Sequence, residues 1–212
     1  KRMKAATEAI SGKKNMLDVK LCQLVSLLDN GTPVKMSKRA GTFVTLKDVM
    51  DAVGADVMRF IMLTRRSDQT LEFDYARVTE KSRENPVFYV QYAHARTSSV
   101  LRQAEGQPVM SAAAGRLVDI HEVRVIRQLA SFPHTVKSAA LSHEPHRIAF
   151  YLIDLASLFH GLWNAGRDNS ELRFICDNDD ELTSARLALV SATRGVISQG
   201  LSLMGITALE EM

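Results

Sequence analysis

Apolar residues recur every three or four positions through most of the chain, and the rhythm is clearest between residues 145 and 166. In "PHRIAFYLIDLASLFHGLWNAG" the residues Ile148, Tyr151, Leu152, Leu155, Phe159, Leu162 and Trp163 fall on one wide stripe of a helix. "DDELTSARLALVSATRGVISQGLSLMG" repeats the pattern through Leu182, Leu189, Val196, Leu203 and Met204, and "AAAGRLVDIHEVRVIRQLASF" continues at helical spacing. "ARVTEKSRENPVFYVQYAHARTSSVLRQA" predicts a further long helix, in which Pro86 imposes a kink or break near Glu84-Asn85. No strand alternation or internal repeat interrupts these segments. The spacing predicts an antiparallel helix bundle over residues 76–212.

Before residue 75 the pattern is mixed α/β. "RMKAATEAI" has helix-forming composition and ends at Ser11-Gly12. "LDVKLCQLVSLL" reads as extended and runs into Asp29-Asn30-Gly31, a turn signal, while "FVTL" predicts a second short extended piece. Thr45 is placed to cap a helix over "LKDVMDAV", with Asp48 completing a capping box. Gly54 ends that helix, and Asp56 is the expected cap of the next, "VMRFIMLTRR". The turn-rich "SDQTLEFDY" sets a domain boundary near residue 75, dividing the chain into 1–75 and 76–212.

Composition narrows the class without naming it. The 46% apolar and 24% charged shares are those of an ordinary globular protein, and no run approaches the roughly 18 apolar residues a membrane helix needs. A basic N-terminus with no apolar region behind it argues against secretion, so a cytoplasmic location and no membrane partner are expected. Cys22 and Cys176 have no Cys or His at ligand spacing and are expected to be buried thiols, with no protein-bound metal. Residues 1–75 carry 13 Lys+Arg against 9 Asp+Glu, and residues 76–212 carry 14 against 15. Any polyanion held by the second part must therefore be held by local patches rather than a global field.

The basic excess surrounds "GTPVKMSKRAGTFVTL". Lys35 and Lys38 can face the same phosphates from one short turn, Ser37 adds a hydroxyl donor, and Gly41 lets the backbone fold over a ligand. Flexible ammonium groups stabilise the charge that develops as a triphosphate loses pyrophosphate. On spacing alone, a solvated basic turn is an equal reading.

"VKMSKRAGTFVTL" resembles the KMSKS signature loop of class I aminoacyl-tRNA synthetases, with Arg39 in place of the final Ser. "GADVMRFIMLTRRSDQTLEFD" and "NPVFYVQYAHAR" resemble arginyl-tRNA synthetases specifically, and "ARLALVSATRGVISQGLSLMGI" resembles the helical anticodon-binding domain of that family. The resemblance implies a mainly α chain. It would hold the C-terminal end of a Rossmann-type α/β catalytic domain, then an all-α helical-bundle anticodon-binding domain of DALR type. Lys35, Met36, Ser37 and Lys38 match the loop that closes on ATP, which enters with Mg2+, and Lys35 and Lys38 are the implied catalytic residues. No "HIGH"-type stretch is present, and the residues that would read L-arginine are not identifiable. The chain thus resembles the C-terminal portion of a larger arginine–tRNA ligase, expected to be monomeric and unable to form arginyl-adenylate alone.

Within the helical part, Tyr89, Tyr92 and Arg96 recur at helical spacing on one face. Rings and a guanidinium together suit splayed single-stranded bases. The resemblance places this segment at the anticodon loop of tRNA(Arg) and adds Gln91 and the C-terminal Met212 as tRNA-binding candidates. Tyr89 has a competing reading as a core residue. Trp163 and His160 are expected to pack in the core, the other histidines to carry no chemistry, and the acidic "DNDDELTS" to lie away from RNA. Two alternatives stay open: a cysteinyl-tRNA synthetase fragment, and a non-catalytic tRNA-binding protein.

Overall fold

The computed structural model describes residues 1–34, 44–74, 78, 85–104 and 111–212, with the backbone alone at 111 and 112. The Lys35–Lys38 loop and the boundary expected near residue 75 lie outside the described residues.

Helix α1 (Arg2–Ser11) ends at Gly12 as its sequence predicts. Strands β1 (Val25–Asp29) and β2 (Thr32–Pro33) form an antiparallel hairpin in which Leu28 faces Pro33 and Asp29 faces Thr32. The two turn residues, Asn30 and Gly31, both take positive φ (49° and 76°), the pair of conformations a tight two-residue hairpin turn requires. Asp74 fixes the turn from below: its carboxylate accepts from the backbone N–H groups of Asn30 (3.2 Å) and Gly31 (2.8 Å).

Asp74 belongs to β3 (Leu71–Asp74), which runs parallel to β1, giving the sheet order β2-β1-β3. Parallel neighbours need a crossover, and α2 (Leu46–Val53) and α3 (Ala55–Leu63) supply it. Thr45 and Asp48 form the expected capping box on α2, with Thr45 N donating to Asp48 Oδ2 at 2.7 Å and Asp48 N to Thr45 Oγ1 at 3.2 Å. Three expectations need correction here. Asp56 sits inside the first turn of α3, with Gly54 at the cap, and its carboxylate accepts from Thr207 N (3.0 Å). "LDVKLCQLVSLL" is extended in sheet only from Val25, because β3 offers it just four residues to pair with; Leu21 and Leu24 remain exposed. In the described part of "FVTL", Val44 and Thr45 join no strand and Leu46 opens α2.

The helices that follow carry the bulk of the fold. Helix α4 (Pro86–Gln103) begins at Pro86, so the expected kink or break is a break at Asn85, and the first helical position needs no N–H. Asn85 caps it, accepting from Val87 N (3.3 Å) and donating to Val78 O (2.8 Å). A 3-10 segment (Ser111–Arg116) precedes α5 (Ile120–Ser142), so the helix expected to be continuous from residue 112 is interrupted. The cause is Asp119, which forms a capping box with Glu122 and restarts the helix. Pro133 is tolerated within α5, at an exposed position. Helices α6 (His146–Asp168) and α7 (Asp180–Leu203) complete the bundle.

Val90 and Ala93 of α4, Leu152, Leu155 and Phe159 of α6, and Val190, Ile197 and Leu201 of α7 are buried in one core. Phe60 and Phe73 of the first part belong to the same core. Helices α6 and α7 approach closely at Gly200, where a Cβ would come within 2.7 Å of Leu152. Helix α6 is long and apolar enough to cross a membrane by length and composition alone, contrary to the sequence expectation. Its apolar stripe is buried in the bundle, as befits a core helix.

A buried ion pair crosses this bundle. Arg186 of α7 donates from Nε to Glu122 Oε1 (2.7 Å), and from Nη1 to the carbonyls of Glu171 (2.7 Å) and Arg173 (2.8 Å). Nη1 also meets Cys176 Sγ at 3.2 Å. Neither cysteine is buried as expected: Cys176 is half-exposed in the α6–α7 connection, and Cys22 is exposed in the segment that lacks a partner strand.

Candidate nucleic-acid interface

Helices α4 and α6 bring together the aromatic and cationic side chains singled out above. The helical repeat places Tyr89, Tyr92 and Arg96 on the side of α4 that meets α6, where His160 and Trp163 come from the facing helix. Arg96 is the centre of the cluster. Its guanidinium carbon lies 4.2 Å from the Tyr92 ring centroid and 4.9 Å from that of Trp163. Nη2 donates to the Tyr92 hydroxyl (3.1 Å) and Nη1 to Nδ1 of His160 (3.0 Å).

The hydrogen bonds assign the His160 tautomer. Arg96 can only donate, so Nδ1 accepts, and the proton sits on Nε2, which donates to Tyr89 O at 3.2 Å. The ring stands 4.6 Å from Tyr89 and 5.7 Å from Tyr92, centroid to centroid. A neutral, buried imidazole thus orients the arginine. Tyr89 is half-buried beneath it, whereas Tyr92 is exposed at 39% and faces solvent.

Trp163 departs from its expected core position. It is half-buried, packed at a tilt on Phe159 (6.5 Å) and Phe174 (6.1 Å), and leaves one side to Arg96. Next to it is a cavity of about 370 Å³ walled by Trp163, Val100, Phe174 and Ile175, with Arg167 and Arg173 at its polar edge. Apolar walls with a few cations suit a flat heteroaromatic ring bearing phosphate. His160 is buried as expected, but its bond to Arg96 was not anticipated from sequence. The available signal was its spacing of three from Trp163, which puts both on the face of α6 turned toward α4.

Gln91 and Met212 take different places. Gln91 is buried, and its amide donates to Thr207 O (3.0 Å). One turn on, His94 Nδ1 hydrogen-bonds Leu209 O (2.7 Å). Arg102 and Arg194 bind Glu210 in the same tail. The chain after α7 is thereby strapped across α4, with Met212 exposed at its end. Where the acidic segment leads into α7, Arg116 pairs with Asp179 (2.6 Å) and Glu181 (2.9 Å), which holds the Asp179 carboxyl below its ordinary value. Among the described residues no group of His, Cys, Asp or Glu is arranged to hold a metal ion. Lys35, Met36, Ser37 and Lys38 lie outside the described residues.

Comparison with known proteins places the chain in a family. The model of the DALR anticodon binding domain matches residues 90–212. The arginine–tRNA ligase of Rhodospirillum rubrum is 56% identical over the whole chain, and that of Rhizobium meliloti is also 56% identical over the whole chain. The chain spans 38% of the length of each. Among solved structures, Thermus thermophilus arginyl-tRNA synthetase superposes with a TM-score of 0.66 at 26% identity, covering 90% of this chain and 35% of that one. Residues that sequence and geometry bring to one face of α4 and α6 are thus set in a known framework: the chain belongs to the DALR anticodon-binding family and matches the C-terminal portion of arginyl-tRNA synthetases.

Proposed function

We propose that the chain is the C-terminal portion of an arginine–tRNA ligase, and that the α4–α6 cluster reads anticodon bases of tRNA(Arg). The observation that carries this is the Tyr92–Arg96–His160–Trp163 arrangement beside a base-sized cavity. An exposed ring with a guanidinium fixed over it can stack one splayed base and hydrogen-bond its edge. The neutral imidazole holds the guanidinium in plane without adding a competing charge. Tyr89 supports that imidazole from below, and the adjoining cavity can receive a neighbouring base. Gln91 acts one step removed in this reading, anchoring the tail so that Met212 ends near the bound loop.

The proposal extends to the basic loop. Lys35, Met36, Ser37 and Lys38 would close on the phosphates of ATP, which arrives with Mg2+, and Lys35 and Lys38 would follow charge onto the leaving pyrophosphate. Residues 1–75 would then be the end of a Rossmann-type catalytic domain, with the anticodon domain following from residue 76. L-arginine would be held elsewhere in a full-length ligase, so this segment alone would not charge tRNA. A monomeric, cytoplasmic protein goes with this reading.

Binding of a tRNA(Arg) transcript to the chain at fixed salt tests the interface. Tyr92→Ala should weaken it by roughly one to two decades, the worth of one base stacked on an aromatic ring. Unchanged affinity with an unchanged melting profile would remove Tyr92 from the interface and the proposal with it.

A further inference from the structure

A second groove, of about 590 Å³, opens between α5 and the N-terminal half of α6, near the connection that follows α3. Its lining includes His146, 9% exposed, whose ring meets Phe150 edge-on but has no hydrogen-bond partner among the described residues. Burial holds this imidazole below its ordinary pKa, so at neutral pH it keeps one N–H to donate. Two guanidinium groups share the lining. Arg66 spends its Nε and Nη2 edge on Asp68 (3.1 and 2.9 Å), and Arg147 spends the same edge on Glu144. In each case the Nη1 group stays uncommitted among the described residues. Ser138, on the groove wall, likewise makes no side-chain hydrogen bond among them, and the groove sits at the positive end of α6.

Four donor side chains of three kinds therefore line one groove, and each guanidinium keeps one edge free of its carboxylate partner. We infer that this groove is a binding site for a phosphate group. His146 and Ser138 would donate from the floor and wall, and the free Nη1 groups of Arg66 and Arg147 from the rim. Asp154, the one carboxylate in the lining, disfavours a ligand that would fill the whole groove with negative charge. One tetrahedral phosphate fits this balance better than a polyphosphate. It can come from an RNA backbone or from a free anion, and the site does not depend on the α4–α6 interface. The groove lies on the side of α6 away from Trp163, since its lining residues Arg147, Phe150, Tyr151 and Asp154 fall on the far side of the helix from position 163.

The test follows the imidazole nitrogen resonances of His146 in the 15N-labelled chain as inorganic phosphate replaces chloride at constant ionic strength. A saturable shift is expected. Arg66→Gln, at an exposed position that the fold does not need, should weaken the apparent affinity roughly tenfold, the loss of one charge-assisted bond. Ser138→Ala should weaken it less. His146→Gln can disturb packing, so it serves only alongside these two. A tRNA transcript that moves the same resonances, reversed by excess phosphate, supports an RNA backbone as the source. A phosphate shift that tRNA leaves untouched supports a free anion. No saturable shift with phosphate, or a shift indifferent to Arg66→Gln, overturns the site, as does a response to tRNA without any response to phosphate.

Discussion

Arg96 donates to Nδ1 of His160 across 3.0 Å, and this bond, with that from His160 Nε2 to Tyr89 O, ties the aromatic face of α4 to α6. A planar fork is needed to make it while also reaching the Tyr92 hydroxyl and covering two rings. Lysine keeps the charge but can satisfy only one of these partners at a time. Arg96→Lys should therefore weaken tRNA binding roughly tenfold while changing stability by about 1 kcal/mol or less, the worth of a partly exposed cation–π contact. Filter binding beside thermal melts checks both halves. Full retention of affinity would mean that charge, not orientation, is what the cluster supplies.

Trp163 no longer separates packing from binding as its apolar stripe suggested. Its ring is half-buried, with Phe159 and Phe174 behind it and Arg96 across its face. Trp163→Ala should cost about 1–3 kcal/mol, less than the roughly 3–5 typical of a fully buried aromatic, and should lower tRNA affinity as well. A variant that melts early yet binds tRNA normally would return Trp163 to a purely structural role.

Arg186 and Glu122 are 4% and 1% exposed, so removing either leaves a charge buried without its partner. Arg186→Ala should cost about 3–5 kcal/mol, and it also frees the carbonyls of Glu171 and Arg173 from their donor. Denaturant melts should show a double variant, Arg186→Met with Glu122→Gln, to be more stable than Arg186→Ala. If the double variant is the less stable, the cost lies in the loop carbonyls and not in the orphaned carboxylate.

The parts of this molecule that were legible in the sequence are those in which local chemistry and packing agree. The Asn30-Gly31 turn, the Thr45/Asp48 box and the α6 stripe each needed only neighbours in sequence. The corrections come from long-range pairing. Val25 begins β1 because its parallel partner β3 begins at Leu71. Tyr92 and Arg96 were legible because both lie on one helix. His160 was not, because its role depends on how α4 and α6 meet. The tail clamp by Gln91 and His94 had no local signal, since its acceptors are backbone carbonyls more than a hundred residues away.

Stability should fall at both ends of the pH range, for separate reasons. Hydrogen bonds from Thr45 hold Asp48 below its ordinary 3.8, Arg116 does the same for Asp179, and Arg147 holds Glu144 below 4.5. Lowered folded values mean that the unfolded chain takes up protons first, so this stability is present above about pH 4.5 and is lost as pH falls through the folded values. At the alkaline end, burial pushes the Tyr151 hydroxyl from 10.0 up to about 12, and its O–H donates to Gln128 O. The unfolded chain then ionises first, so stability should decline as pH rises between those two values. Denaturation midpoints across pH should show both limbs, and Tyr151→Phe should flatten the alkaline one. An alkaline limb that survives Tyr151→Phe would assign it to another group.

Whether the α4–α6 face reads anticodon bases is decided by comparing two transcripts. The chain is titrated with a tRNA(Arg) transcript and with the same transcript altered only at its anticodon, at equal salt. The altered transcript should bind at least roughly tenfold more weakly, the loss of one good base contact, and Tyr92→Ala should erase most of the difference. Equal affinity for the two transcripts would contradict base reading by this face.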